Sequence, residues 1–217
     1  NYVEPFFGSG ACLLAAPGPA RRTETVNDIG AWLCNFWRAV RHDPDAVGEH
    51  ASGPVNELDL HARGDWLFYR KDAPAFVERL RGDPDYYDAK SAGWWVWGLC
   101  CWIGDGWGIA ARGSVRRSRP CLNAGRGVNR QLPHLGNAGM GVTDTARKAA
   151  ITEYMRQLCE RTAQVQVCCG DWARVLGPSP TVTLGLTAVF LDPPYAVEDR
   201  ADCYGADDSR TVAHDVR

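Results

Sequence analysis

The chain has 217 residues, 45% hydrophobic and 23% charged, with a formal net charge of −2 at pH 7. These are the proportions of an ordinary soluble globular protein with one substantial core and room for an insertion. No apolar run approaches the roughly 18 residues needed to cross a bilayer and no signal-peptide pattern opens the chain, so neither membrane insertion nor export is expected.

The opening stretch Tyr2-Val3-Glu4-Pro5-Phe6-Phe7-Gly8-Ser9-Gly10-Ala11 reads as a short strand and a glycine-bearing turn, with a helix starting over 11–16. Glycines at such a turn let the backbone approach a ligand closely and aim helix N–H groups at it. A purely structural βα turn fits the same residues, and the third glycine of a dinucleotide fingerprint is missing. Residues 24–29 form a second short strand ending in Asp28. That is the place, roughly 20 residues on, where an acid accepts from ribose hydroxyls or an amino group. Asn27 and Asp28 also stand where they could cap the helix predicted over 31–41. On that helix Trp32, Leu33, Phe36, Trp37 and Val40 recur at helical spacing and are expected to face a sheet.

From His42 onward, Pro, Gly and Asp clusters break the chain into short pieces. One helix is predicted over 65–81, with Trp66, Phe68, Tyr69, Phe76, Val77 and Leu80 as its apolar members. Five of the nine tryptophans fall between Trp94 and Trp107 and read as the core of an insertion too long to be a plain connection. No acidic residue lies between Asp105 and Asp144, whereas Arg112, Arg116, Arg117, Arg119, Arg126 and Arg130 all do. Such segregation of charge favours a nucleic-acid surface over a solvated loop, because arginine suits phosphate oxygens and guanine edges.

A helix is then predicted over 145–162, with Ala149, Ile151, Tyr154, Met155 and Leu158 inward. An alternating strand over 164–169 is closed by Gly170-Asp171-Trp172. Finally Ala188-Val189-Phe190-Leu191 runs into Asp192-Pro193-Pro194-Tyr195. An apolar run stopped by two prolines reads as a buried strand ending in a rigid loop. The loop carries a carboxylate, carbonyls and a ring, the parts needed to hold a planar, amino-bearing ring. A plain Asp-Pro turn is the alternative. Strand ends with acids, glycines and aromatics point to one site at the carboxyl edge of a parallel sheet.

The nine cysteines include the adjacent pairs Cys100-Cys101 and Cys168-Cys169, with no CxxC, and the five histidines are scattered. Neither a disulfide framework nor a metal site is expected, and the thiols are read as small buried hydrophobes of a reducing cytoplasm.

Taken in order, these motifs resemble a Dam-like (D12 class, alpha group) DNA adenine-N6 methyltransferase of phage type. The matching residues are Glu4-Pro5-Phe6-Phe7-Gly8-Ser9-Gly10, Asn27-Asp28-Ile29, Gly170-Asp171-Trp172 and Asp192-Pro193-Pro194-Tyr195. The stretches 94–104 and 130–136 are also similar to the insert of such enzymes. The family opens with a Gly-Gly-Lys loop and carries further strands after the catalytic loop, so the chain is expected to be a piece truncated at both ends.

The resemblance implies an α/β fold: a partial Rossmann-like S-adenosylmethionine-dependent methyltransferase sheet with a mainly helical or irregular inserted target-recognition region. Residues 1–42 would form the cofactor part, 43–144 the DNA-binding insert and 145–217 the catalytic part. It implies Glu4, Pro5, Phe6, Gly8, Ser9, Gly10, Asp28, Asp171, Trp172 and Asp192 at S-adenosylmethionine. Asp192, Pro193, Pro194 and Tyr195 would sit at the target base, and the six arginines on double-stranded DNA with a flipped adenine. No metal and no membrane are called for, and the setting implied is the cytoplasm of a bacterial or phage-infected cell. A cytosine-N4 methyltransferase and a non-catalytic DNA-binding remnant are the alternatives. Whether methylation protects a phage, accompanies restriction or marks replication stays open.

Overall fold

The computed structural model describes residues 1–18, 21–69, 72–101 and 145–193. Four strands, β1 (Tyr2–Glu4), β2 (Glu24–Asp28), β3 (Gln166–Cys169) and β4 (Ala188–Val189), form one sheet in the order β3-β2-β1-β4, every pair parallel. The fold is therefore α/β. Short parallel strands need crossovers, and α1 (Ala11–Ala15) and α2 (Ala31–His42) follow β1 and β2 as such connections. The order reverses at β1, which has β2 on one side and β4 on the other. In open α/β sheets ligands bind at the carboxyl edge beside such a reversal.

Helix α2 turns Leu33, Phe36, Trp37 and Val40 inward as expected, but Trp32 packs instead against Phe68 and Phe76. Phe36, Trp37, Ala39 and Val40 are buried in a core that also holds Leu13, Val26, Ile151, Met155, Leu158 and Val165. Helices α3 (Pro44–Ala51) and α6 (Ala89–Cys101) pack on each other and on α2, and α7 (Thr145–Thr162) packs on α2 and α3. Val47, Ala51 and Ala92 thus share the core of the sheet. The Asp43-Pro44 break is a helix start: Asp43 accepts from the Ala46 N–H at 3.1 Å, with proline in the first turn. Asn35 and Asp88 seat α6 on α2, Asn35 Nδ2 donating to Asp88 O and Asp88 N–H to Asn35 Oδ1, both at 3.0 Å.

The helix predicted over 65–81 is divided. After α4 (Glu57–Gly64) comes a π-helical turn over Asp65–Tyr69, and α5 (Ala73–Gly82) starts afresh with Pro74 in its first turn. Proline lacks the N–H that an uninterrupted helix would need there. Trp97 is fully buried among Leu60, Leu67 and Phe68 and donates its ring N–H to Gly53 O at 2.8 Å. Arg63 lies over the Trp97 ring at 4.0 Å. Trp94, Trp95 and Trp97 therefore pack as expected, whereas Trp102 and Trp107 lie outside the described residues.

At the amino edge, buried Glu24 receives Arg161 at 2.7 and 3.0 Å and Arg22 at 2.9 and 2.7 Å. Arg161 also donates to Leu13 O at 2.8 Å, so one guanidinium joins α7, β2 and α1. Among the described residues no helix is long and apolar enough to cross a membrane.

Candidate functional site

Because all four strands run the same way, the four segments singled out in the sequence emerge at one edge of the sheet. The loop after β1 is built from inside. Phe7 is buried against Trp37, ring centroids 4.9 Å apart, and its N–H donates to Asn27 O at 2.8 Å. Gly10 N–H returns to Phe7 O at 2.8 Å, with Gly10 at φ +70° in the left-handed region. A Cβ at Gly10 would lie 2.7 Å from the Phe7 ring. This anchoring leaves Gly8 and Ser9 exposed and places Phe6 beside Trp172, centroids 5.9 Å apart. Two expected cofactor segments, remote in sequence, thus meet through their rings.

Asp28 ends β2 and ties the loop down. Its Oδ2 accepts from Gly8 N–H at 3.1 Å and its Oδ1 from Gly30 N–H at 2.8 Å. Burial raises its carboxyl above the usual range, outweighing the N–H donors of Gly30, Gly8 and Ile29. Each carboxylate oxygen has a second lone pair, so acceptance from a ligand hydroxyl is compatible with this role. The N-cap role expected of Asn27 and Asp28 does not occur: α2 begins after Gly30 without a side-chain cap. Asn27 instead donates from Nδ2 to Pro5 O at 3.0 Å and to Gly170 O at 2.9 Å, while its buried Oδ1 has no hydrogen-bond partner. Nothing in the local pattern marks Asn27 as the residue joining the two loops; the one available signal is its place next to the acid.

Glu4 is buried. Its carboxylate accepts from Tyr2 Oη at 2.7 Å. Burial raises its pKa, and the nearby charge of Asp192 adds to the rise. The Tyr2 phenol is pushed well above its ordinary value by burial and by Glu4. Asp192 reaches this place because β4 pairs with β1, with Phe190 N–H donating to Val3 O at 2.9 Å, and residues 191–193 continue past the edge. On the other side, Gly170 N–H donates to Asp28 O at 2.9 Å, and exposed Asp171 accepts from Ala173 N–H at 2.9 Å, capping the short turn Trp172–Val175.

The described residues therefore gather Glu4, Pro5, Phe6, Gly8, Ser9, Gly10, Asp28, Asp171, Trp172, Asp192 and Pro193 around one edge. Pro194 and Tyr195 lie outside the described residues, as do Arg112, Arg116, Arg117, Arg119, Arg126 and Arg130. One expectation fails: the run before Asp192 is not buried, with Val189, Phe190 and Leu191 between 38% and 41% exposed. Among the described residues β4 is an edge strand, so only β1 pairs with it. The thiols are also less uniform than expected, since Cys34 and Cys101 are buried but Cys169 is exposed.

Several carboxylates beside two rings and backbone carbonyls form an electron-rich edge. It suits a ligand that carries positive charge, hydroxyls and a planar amino-bearing ring, and repels anionic phosphate at the same spot. Among the described residues no group of three His, Cys, Asp or Glu side chains is arranged to hold a metal ion. No known family model matches the chain, and no curated protein matches it significantly.

Proposed function

We propose that this chain carries the catalytic core of a DNA adenine-N6 methyltransferase that uses S-adenosylmethionine. The observation that carries the reading is the pairing of β4 with β1 in an all-parallel sheet. It sets the Asp192-Pro193 loop against the Glu4–Gly10 loop, at the reversal of strand order, with Asp28 and Trp172 on the far side.

The residues fit the cofactor. Asp28 accepts a hydroxyl or the ammonium of the methionine moiety, Asp171 the adenine amino group, and Phe6 and Trp172 offer ring faces. Orphaned Asn27 Oδ1 adds an acceptor next to Asp28. When bound, S-adenosylmethionine supplies an electrophilic methyl group on a cationic sulfur. The adenine amino group is a weak nucleophile because its lone pair is delocalised into the ring. The Asp192 carboxylate and Pro193 carbonyl would accept its two N–H bonds, favouring tetrahedral nitrogen and orienting the lone pair. Pro193 and Pro194 would restrict the loop through their fixed φ, leaving little reorganisation for the reaction. Tyr195 would stack on a base flipped from the duplex, and the arginines of the 112–130 segment would hold phosphates.

The test uses the longest available version of the protein with radiolabelled S-adenosylmethionine and duplex DNA, followed by nucleoside analysis. Label in N6-methyladenine that Asp192→Ala reduces at least about 100-fold supports the reading. Label in N4-methylcytosine would change the substrate. A protein that binds DNA but shows no calorimetric heat with S-adenosylmethionine would leave the DNA-binding remnant.

A further inference from the structure

Outside the proposed chemistry, one pair of nucleophilic side chains stands out. Cys34 lies in the first turn of α2 and Cys169 is the last residue of β3, opposite Asp28 in the sheet register. Cys34 Sγ sits 3.6 Å from Asp28 O and 3.8 Å from Cys168 O, which brings it to the end of β3. The Cys169 thiol lies close enough that each of the two thiols shifts the titration of the other. Cys34 is 9% exposed and Cys169 is open to solvent, so one thiol is accessible and the other is held behind it.

We propose that Cys34 and Cys169 form a reversible disulfide when the protein meets a peroxide. The neighbouring Cys34 thiol is the largest influence on Cys169. With help from the charges of Arg81 and Arg38, it outweighs burial and the Asp28 carboxylate and brings the Cys169 thiol down to about 7. Cys34 is held far above the usual thiol range by the neighbouring Cys169 and by burial. Cys169, the thiol open to solvent, is the attacking thiolate, and buried Cys34 behind it the resolving thiol.

The Cys169 thiolate attacks one peroxide oxygen, the O–O bond breaks, and the departing hydroxide takes up a proton as water. The Cys34 sulfur, giving up its proton, then attacks the Cys169 sulfenic sulfur. The S–O bond breaks and the leaving hydroxide takes that proton as a second water. Two thiols and one hydrogen peroxide thus give one disulfide and two waters, and a dithiol reductant reverses the change. The bond would staple α2 to the end of β3 beside Asp28. The pair owes nothing to the methyltransferase reading and can stand or fall separately.

The experiment treats the whole folded protein with a small excess of hydrogen peroxide, blocks remaining thiols by alkylation and maps tryptic peptides without reduction. The expected product joins peptide 23–38 to peptide 162–174, lighter than their sum by two hydrogens, and vanishes on reduction. Cys168→Ser should keep this product, while Cys34→Ser and Cys169→Ser should each lose it. On native protein at neutral pH, iodoacetamide should label Cys169 about 10-fold faster than Cys168. A Cys168–Cys169 bond, separate over-oxidation of the two thiols, or a cross-link found only between isotopically distinct chains would each overturn the proposal.

Discussion

Gly10 and Gly8 show how differently two glycines of one turn are constrained. Both have positive φ, +70° and +48°. Only at Gly10 would a Cβ meet a neighbour, at 2.7 Å from the Phe7 ring that anchors the loop; at Gly8 nothing lies within 4 Å. Gly8→Ala should therefore cost only the left-handed conformation, about 1 kcal/mol, whereas Gly10→Ala should cost about 2–3 kcal/mol with displacement of Phe7. Urea midpoints of the two variants check the order, and equal losses would mean that the Phe7 contact is soft. Asn27 belongs to the same scale. Removing its two hydrogen bonds in Asn27→Ala should cost about 2 kcal/mol and loosen both loops, raising amide exchange at Phe7 and Gly170.

Among the elements, α3 is held by close backbone contact. A Cβ at Gly93 of α6 would lie 2.7 Å from Val47 O, and one at Gly48 would lie 2.7 Å from Thr152 Cα of α7. Helix propensity alone predicts that Gly→Ala stabilises each helix by about 1 kcal/mol. Backbone atoms cannot move aside as a flexible side chain can, so overpacking of about 1–3 kcal/mol should win. Thermal unfolding of Gly48→Ala and Gly93→Ala should show net loss; a gain would mean that the helices separate freely. These helices are part of the main core, which explains why Val47 and Ala92 are as buried as Val26. The tryptophans of α6 signalled a core in the sequence, but not that this helix lies against α2.

At the scale of the molecule, acids at the two edges of the sheet shift in opposite directions. Glu4 and Asp28, at the carboxyl edge, are raised, chiefly by burial. Glu24, at the amino edge, is lowered: burial pushes it up, but the hydrogen bonds and charges of Arg161 and Arg22 prevail. A carboxyl lowered by folding contributes stability that is present above its unfolded value of about 4.3 and is lost as pH falls through the lower folded value. Glu24→Gln should therefore cost about 3 kcal/mol near neutral pH, leaving Arg161 incompletely paired. The gap to wild type should close in acid below that window. Denaturant melts over a pH series check this, and a gap that widens in acid would reverse the sign.

The sequence by itself determined the strand ends, the order of the motifs and the helical face of α2, because β-branched runs, glycine turns and helical spacing are local properties. It marked Asp28 and Asp192 as candidates without separating a ligand acceptor from a carboxylate occupied by its own backbone. Only the tertiary structure decided that β4 lies beside β1, that Asp28 pins Gly8 and Gly30, and that Phe6 meets Trp172. It also decided that Asn27 joins the loops and that Cys34 reaches Cys169. Apart from the short-range bonds of Asp28, those facts depend on strand order and parallel register, which bring together residues more than a hundred positions apart. No local pattern encodes them: they follow from how the apolar faces of the helices and sheet can be buried at the same time.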